Sequence, residues 1–249
     1  MIILFDGTSD SRKLAVDLSN SEYDVIATAT TEDGFLKLER EKIKSIRGKL
    51  DYKSIIAICR GYPIEALIDA THPYANSLHE TGIRVAADTG IPLIRYERDS
   101  VVIQDERIFY ADSYEAAERK ALDGKNIFIT TGIKHIELFK EIIQTRNTII
   151  RIIPDPENIK LLLNMGIKKD HIIAMEGTFD EKINGAIMEY YNIDTLITKD
   201  SGFNSDPKIK AALSLGINVI IISRKHFPWN MVAHNEIEIK KILNEIRIK

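Results

Sequence analysis

The segment Asp69-Ala70-Thr71-His72-Pro73-Tyr74-Ala75-Asn76 brings a carboxylate, a hydroxyl, an imidazole and a phenol close together along the chain. An imidazole titrates near neutral pH and can give up a proton, and the hydroxyls can bond a polar ligand. The segment follows the apolar run Ala66-Leu67-Ile68 and precedes a helical pattern through Leu78, Val85 and Ala86. A strand that turns directly into a helix puts such residues at the carboxyl edge of a parallel sheet, where open α/β folds bind ligands. The same letters allow a plainer reading, in which Thr71 or His72 caps the helix and Pro73 takes its first position.

Other strand ends carry similar loops. After the first strand comes Phe5-Asp6-Gly7-Thr8-Ser9-Asp10-Ser11-Arg12. Gly7 permits close backbone approach, Thr8 and Ser9 add hydroxyl donors, and the N–H groups of the following helix favour a phosphate. The loop is neither GxGxxG nor a Walker sequence, and a tight turn capped by Ser9 or Asp10 also explains it. The second strand ends in Thr28-Ala29-Thr30-Thr31, neutral where an NAD site places an acid for the ribose 2′-OH. That favours a 2′-phosphorylated cofactor, with Glu32 and Asp33 slightly beyond. In the second half, Thr130-Thr131-Gly132-Ile133-Lys134 and Thr198-Lys199-Asp200-Ser201-Gly202 each combine small polar residues, a glycine and a lysine. Such lysines are either solvated surface charges or donors of charge-assisted hydrogen bonds to an anion. His135 and His226 read as surface or helix-end histidines without a role.

These loops need a frame, and the apolar pattern supplies it. Short Val/Ile/Leu runs at 2–5, 24–29, 43–47, 66–69 and 93–96 alternate with amphipathic stretches such as 11–20, 51–59 and 77–89. Further runs at 126–130, 149–153, 172–175, 195–198 and 219–222 alternate with 113–122, 181–191 and 209–215. Near-continuous apolar strands between helices predict α/β architecture with parallel sheets covered on both faces. The alternation weakens between Arg98 and Tyr110, where Val101–Ile103 and Ile108–Tyr110 flank Asp105-Glu106-Arg107 like a hairpin or crossover. The domain join is placed there, giving residues 1–99 as a nicotinamide-cofactor domain and 100–249 as a substrate domain. Residues 237–246 predict a packed terminal helix.

Composition narrows the class. At 249 residues with 44% hydrophobic content, the chain can bury ordinary cores. A net charge of −3 provides no global field for nucleic acid or anionic membrane. The single cysteine, Cys59, cannot form an internal disulfide and reads as buried and inert. No apolar run approaches the ~20 residues of a membrane span, and the start lies in a strand, so a cytoplasmic, soluble protein is expected.

Taken together and in order, the loops resemble precorrin-6A reductases of cobalamin biosynthesis. The resemblance rests on Gly7-Thr8-Ser9-Asp10-Ser11-Arg12 with Leu14-Ala15, on Gly48-Lys49-Leu50-Asp51, and on Asp69-Ala70-Thr71-His72-Pro73-Tyr74-Ala75. It continues through Gly90-Ile91-Pro92 with Arg95, Glu97 and Arg98, then Thr130-Thr131-Gly132, Thr198-Lys199-Asp200-Ser201-Gly202, and Ala211 to Gly216 with Arg224. It departs at Asp6, where the family usually has glycine, and at Asp200, where Asn is more typical.

The resemblance implies two Rossmann-like halves with parallel sheets and an inter-domain cleft. It also implies NADPH-dependent reduction of the (cobalt-)precorrin-6A macrocycle to (cobalt-)precorrin-6B. On that basis Gly7, Thr8, Ser9, Asp10, Thr30, Gly48, His72 and Tyr74 are candidate cofactor-binding residues. Tyr74, Thr131, Gly132, Lys199, Ser201 and Gly202 are candidates for the tetrapyrrole, and His72 and Lys199 are the catalytic candidates, with no metal held by the protein. Two other classes remain on the table: a cofactor-independent tetrapyrrole enzyme resembling uroporphyrinogen-III synthase, and a non-catalytic nucleotide-sensing module.

Overall fold

The strands form where β-branched and aliphatic residues run four to six long, and the amphipathic stretches between them close the crossovers. A computed structural model describes the chain apart from Glu22, Lys49, residues 98–102, Thr178, residues 201–205 and Lys249. Its elements begin β1 (Ile2–Phe5), α1 (Ser9–Ser19), β2 (Val25–Ala29), α2 (Glu32–Arg40), β3 (Lys44–Arg47), α3 (Tyr52–Gly61), β4 (Ala66–Asp69), α4 (Asn76–Thr89) and β5 (Leu93–Tyr96). Next come β6 (Ile108–Ala111), α5 (Tyr114–Ala121), β7 (Asn126–Ile129), α6 (Lys140–Thr145), β8 (Asn147–Ile152), α7 (Pro156–Asn164) and β9 (Ile172–Ala174). The last are α8 (Glu181–Tyr190), β10 (Thr195–Lys199), α9 (Pro207–Ser214), β11 (Asn218–Ile222), β12 (Met231–Ala233) and α10 (Glu236–Ile248).

Two six-stranded parallel sheets result, in the orders β12-β5-β4-β1-β2-β3 and β6-β11-β10-β7-β8-β9. Unit 1 comprises Met1–Asp99 with Lys225–Lys249, and unit 2 comprises Ser100–Arg224. The sequence reading placed the tail with the second half. Instead β12 pairs with β5 at Met231↔Ile94 and Ala233↔Tyr96, so an otherwise open sheet edge is covered. Ile239 and Leu243 of α10 enter the same core as Ile2 and Leu4, which accounts for the packed terminal helix read from the sequence. The segment read as a hairpin or crossover takes the second form. β6 runs parallel to β11 with Ile108↔Val219 in register, a crossover rather than a hairpin; Val101 and Val102 lie outside the described residues.

Strand periodicity divides each core in two. In β1, Ile2 and Leu4 face α1, α2 and α10, while Ile3 and Phe5 face α3 and α4, and all four are fully buried. In unit 2, Ile127 and Ile129 join α5 to α7, whereas Phe128 joins α8 and α9. Cys59 is half-buried near the end of α3, where desolvation raises its thiol pKa.

Candidate active site

In unit 1, β1 leads through α1 to β2 on one side, while β4 lies against β1 on the other. The strand order therefore reverses between β1 and β4, the place where doubly wound sheets bind ligands. The loops after these strands lie side by side. Ala70 N donates to Phe5 O at 3.2 Å, and a Cβ on Gly7 would sit 3.4 Å from Thr71 Cα and 3.5 Å from His72 N. Any side chain there would fill the gap between the two loops. The absence of one leaves a cradle in which a flat or phosphorylated group can lie against backbone, so the residues fit a nucleotide.

The first loop is self-supporting. Thr8, rather than Ser9 or Asp10, caps α1 and forms a capping box with Ser11. Ser11 Oγ accepts from Gly7 N at 3.1 Å and Thr8 N at 2.8 Å, and it donates to the buried Asp6 carboxylate. The Asp6 carboxylate is thus turned inward. Its pKa is raised by burial, against the opposing effects of Ser11 and Arg12. Ser9 is exposed in the first helical turn, where the helix end favours anions, and Asp10 is beside it.

The second loop is held from beneath. Asp69 has no exposed surface, and it ends β4 opposite Phe5 of β1 and Arg95 of β5. Its Oδ1 accepts from Thr71 N at 3.1 Å, Thr71 Oγ1 at 2.7 Å and Arg95 Nη1 at 2.9 Å. Its Oδ2 lies 2.6 Å from His79 Nδ1. Burial pushes this carboxyl up, but His79, Arg95 and Thr71 outweigh it and hold it below the usual carboxylate range. Arg95 Nη1 also donates to the Thr71 carbonyl at 3.1 Å.

Thr71 is therefore committed to Asp69 and does not cap α4. That helix starts at Asn76 with Ala75 as a cap lacking a side-chain bond, so neither His72 nor Pro73 holds the position first considered. A 3.3 Å bond from Tyr74 N to His72 Nδ1 replaces the cap and tightens the turn. His72 is exposed, its ring 5.7 Å from that of Tyr74, and the bond to Nδ1 leaves the neutral ring's proton on Nε2. Thr30 is exposed after β2, and Gly48, at φ +128°, donates its N–H to Ala29 O at 2.9 Å after β3.

Unit 2 repeats the geometry with different chemistry. Its order reverses between β7 and β10, and Thr130 donates N–H and Oγ1 to Ile197 O at 2.9 and 3.0 Å. Thr131 is buried, and its Oγ1 has no hydrogen-bond partner among the described residues. Gly132 follows in the left-handed region at φ +78°. Burial and the charge of Lys134 lower the pKa of Lys199 at the end of β10. Burial, then Lys134 and Lys199, lower that of His135, whose ring lies 4.6 Å from Tyr114. The Tyr114 phenol is pushed up to about 12 by burial. Ser201 and Gly202 lie outside the described residues.

Sequence reasoning named Arg95 only among the residues that carry the resemblance, did not single out His79, and gave His135 no role. One signal was available: Asp69 and Arg95 are opposite charges inside otherwise apolar strands. Among the described residues no cluster of three or more His, Cys, Asp or Glu could hold a metal, and no helix is long and apolar enough to cross a membrane.

Two doubly wound parallel sheets, each with polar loops at its reversal point, define a two-unit α/β protein of the Rossmann-like class, and unit 1 carries a cradle suited to a nucleotide. Residues 1–246 match the family described as precorrin-6x reductase CbiJ/CobK, and the chain belongs to that family. It is 34% identical over 248 residues to the cobalt-precorrin-6A reductase of Methanococcus maripaludis, covering 96% of this chain and 97% of that one. It is 32% identical over 238 residues to the Priestia megaterium protein of the same name, covering 93% of each. The solved structure of CobK precorrin-6A reductase superposes with a TM-score of 0.80 at 18% identity, over 98% of this chain and 96% of that one, and shares the fold.

Proposed function

We propose that this protein reduces a double bond of the precorrin-6A macrocycle with NADPH, giving the dihydro product precorrin-6B, and that the cobalt-bearing form is among its substrates. Membership of a reductase family supports the reaction class, and the names of the relatives at 32% and 34% identity support the substrate. The observation that carries the cofactor reading is the Gly7 cradle between the β1 and β4 loops. When bound, NADPH supplies the hydride.

The chain's own residues supply placement and a proton. Gly7 lets a ligand approach backbone, while Thr8 and Ser11 hold that backbone in one conformation. Ser9, Asp10, Thr30 and Gly48 line the neighbouring strand ends of unit 1. His72, its Nδ1 accepting from Tyr74 N, presents Nε2–H as a hydrogen-bond donor to the ligand; to pass that proton to the ring system being reduced it must take one at Nδ1 and release Tyr74 N. In unit 2, Thr131, Gly132 and Lys199, with Ser201 and Gly202, bind peripheral carboxylates of the macrocycle. Lys199 does so with a charge-assisted hydrogen bond.

The test is an anaerobic NADPH-oxidation assay offering metal-free and cobalt precorrin-6A separately. Turnover with either form supports the assignment. Folded protein that binds NADPH but turns over neither form would be a sensor rather than a reductase. For the proton, His72→Ala should slow single-turnover reduction, and an undiminished rate removes His72 from the chemistry.

A further inference from the structure

His79 lies on α4, outside the loops that carry the proposed chemistry, and only 1% of it is exposed. Its Nδ1 is 2.6 Å from Asp69 Oδ2, and its Nε2 is 3.3 Å from the Pro73 carbonyl oxygen. Both partners are acceptors. The Asp69 carboxylate already takes three donors on its other oxygen, and a carbonyl oxygen has no proton to give. A neutral imidazole satisfies one of them and turns a lone pair on the other; an imidazolium satisfies both.

The surrounding charges balance this form. Asp69 comes from β4, Arg95 from β5, and Glu97 bonds Arg95 Nε at 3.2 Å. On α4 itself, Glu80 is paired with Lys225 at 2.7 Å. The segment that includes Lys225 and His226 also places Phe227 and Trp229 edge-on to the His79 ring, with centroids 5.1 and 5.4 Å away.

We infer that His79 is a positioning residue for ligand binding by unit 1. Donating from both ring nitrogens, it ties the Pro73 carbonyl to the strand-end carboxylate of Asp69 and so holds the Thr71–Tyr74 turn. Through that turn it acts on the Gly7 cradle, whose backbone neighbours are Thr71 and His72. The link to ligand affinity rests on the reading that unit 1 binds NADPH; the proton on His79 does not.

Nitrogen-15 NMR of the intact protein at pH 7 should show one histidine with a proton on both ring nitrogens, each facing an acceptor. That signature should vanish in His79→Gln and persist in His226→Gln. A His79 ring carrying a single proton overturns the assignment, whether or not NADPH binds.

The second arm measures NADPH affinity by calorimetry. A Gln amide can replace Nε2 and keep the bond to Pro73, whereas an Asn amide replaces Nδ1 and keeps only Asp69. His79→Asn should bind NADPH about tenfold more weakly than wild type, with His79→Gln recovering most of the loss. Equal affinity of the Asn and Gln variants, or a ranking that follows their melting temperatures alone, overturns the positioning role. Wild-type protein that binds no NADPH refutes the cofactor reading and with it the link to affinity, while the nitrogen-15 spectrum still decides the state of His79.

Discussion

In unit 1 the strand beside β1 ends in Asp69, and the next strand places Arg95 in register with it. In unit 2 the corresponding strand, β10 beside β7, ends in Lys199, and the next strand places Ile222 in register. The strand orders match, yet one strand end is a fully buried carboxylate with an arginine in register and the other is a partly buried lysine with an aliphatic residue in register. Asp69, Arg95 and His79 shape the loop above them and are sealed from water. Burial, then the charge of Lys134, lowers the pKa of Lys199, whose proposed role is to meet a carboxylate of the substrate. On the proposed reading the same architecture supports two kinds of site, a cradle for the cofactor in unit 1 and a carboxylate-binding loop in unit 2.

The largest test of this contrast is stability. Asp69→Ala leaves Arg95 and His79 without their buried carboxylate and should cost about 3–5 kcal/mol in denaturant unfolding. Lys199→Ala should cost less, because Lys199 is only partly buried, and equal losses would break the comparison. The pH dependence follows from the lowered carboxyl pKa. Asp69 contributes stability above its ordinary 3.8, and that contribution is lost as pH falls through its folded value. Wild type should therefore lose more stability on acidification below pH 3.8 than Asp69→Asn does.

Binding gives the next effect. Lys199→Ala should weaken a polycarboxylate tetrapyrrole about tenfold while leaving NADPH affinity unchanged, and equal loss of both would merge the two sites. Conversely, Gly7→Val should weaken NADPH about tenfold in calorimetry and leave tetrapyrrole binding intact, because its side chain meets the Thr71 and His72 backbone.

Smaller effects sharpen the picture of the first loop. Thr8→Ala should lose about 1 kcal/mol of stability as the α1 cap disappears. Asp6→Asn should be neutral or slightly stabilising at pH 7. Burial raises the Asp6 pKa, so the stability of wild type falls relative to Asn as pH rises from 3.8 and the carboxyl ionises. A marked loss at pH 7 would show instead that the charge itself holds Ser11.

Much of the fold was legible in the sequence because strand and helix periodicities are local. Ile2–Phe5 and Ala66–Asp69 read as buried strands and are buried strands. Segments 101–110 and 225–249 were harder. The partners of β6 and β12 are β11 and β5, more than a hundred residues away along the chain, and periodicity carries no information about distant pairing. The cap of α4 was misread for a related reason. Thr71 is a good cap by type, but Asp69 offers it a buried acceptor that no neighbouring-residue rule contains.

The sequence by itself determined which residues stand at strand ends, since short apolar runs and the polar turns that stop them are written in order. Tertiary structure alone decided which of those residues are spent on the fold. His79 and Arg95 are ten and twenty-six residues from Asp69 in sequence and within hydrogen-bond distance of it in space. Burial is what makes that proximity decisive. Away from water a carboxylate must find its donors within the protein, and the donors Asp69 found set the shape of the loop above it.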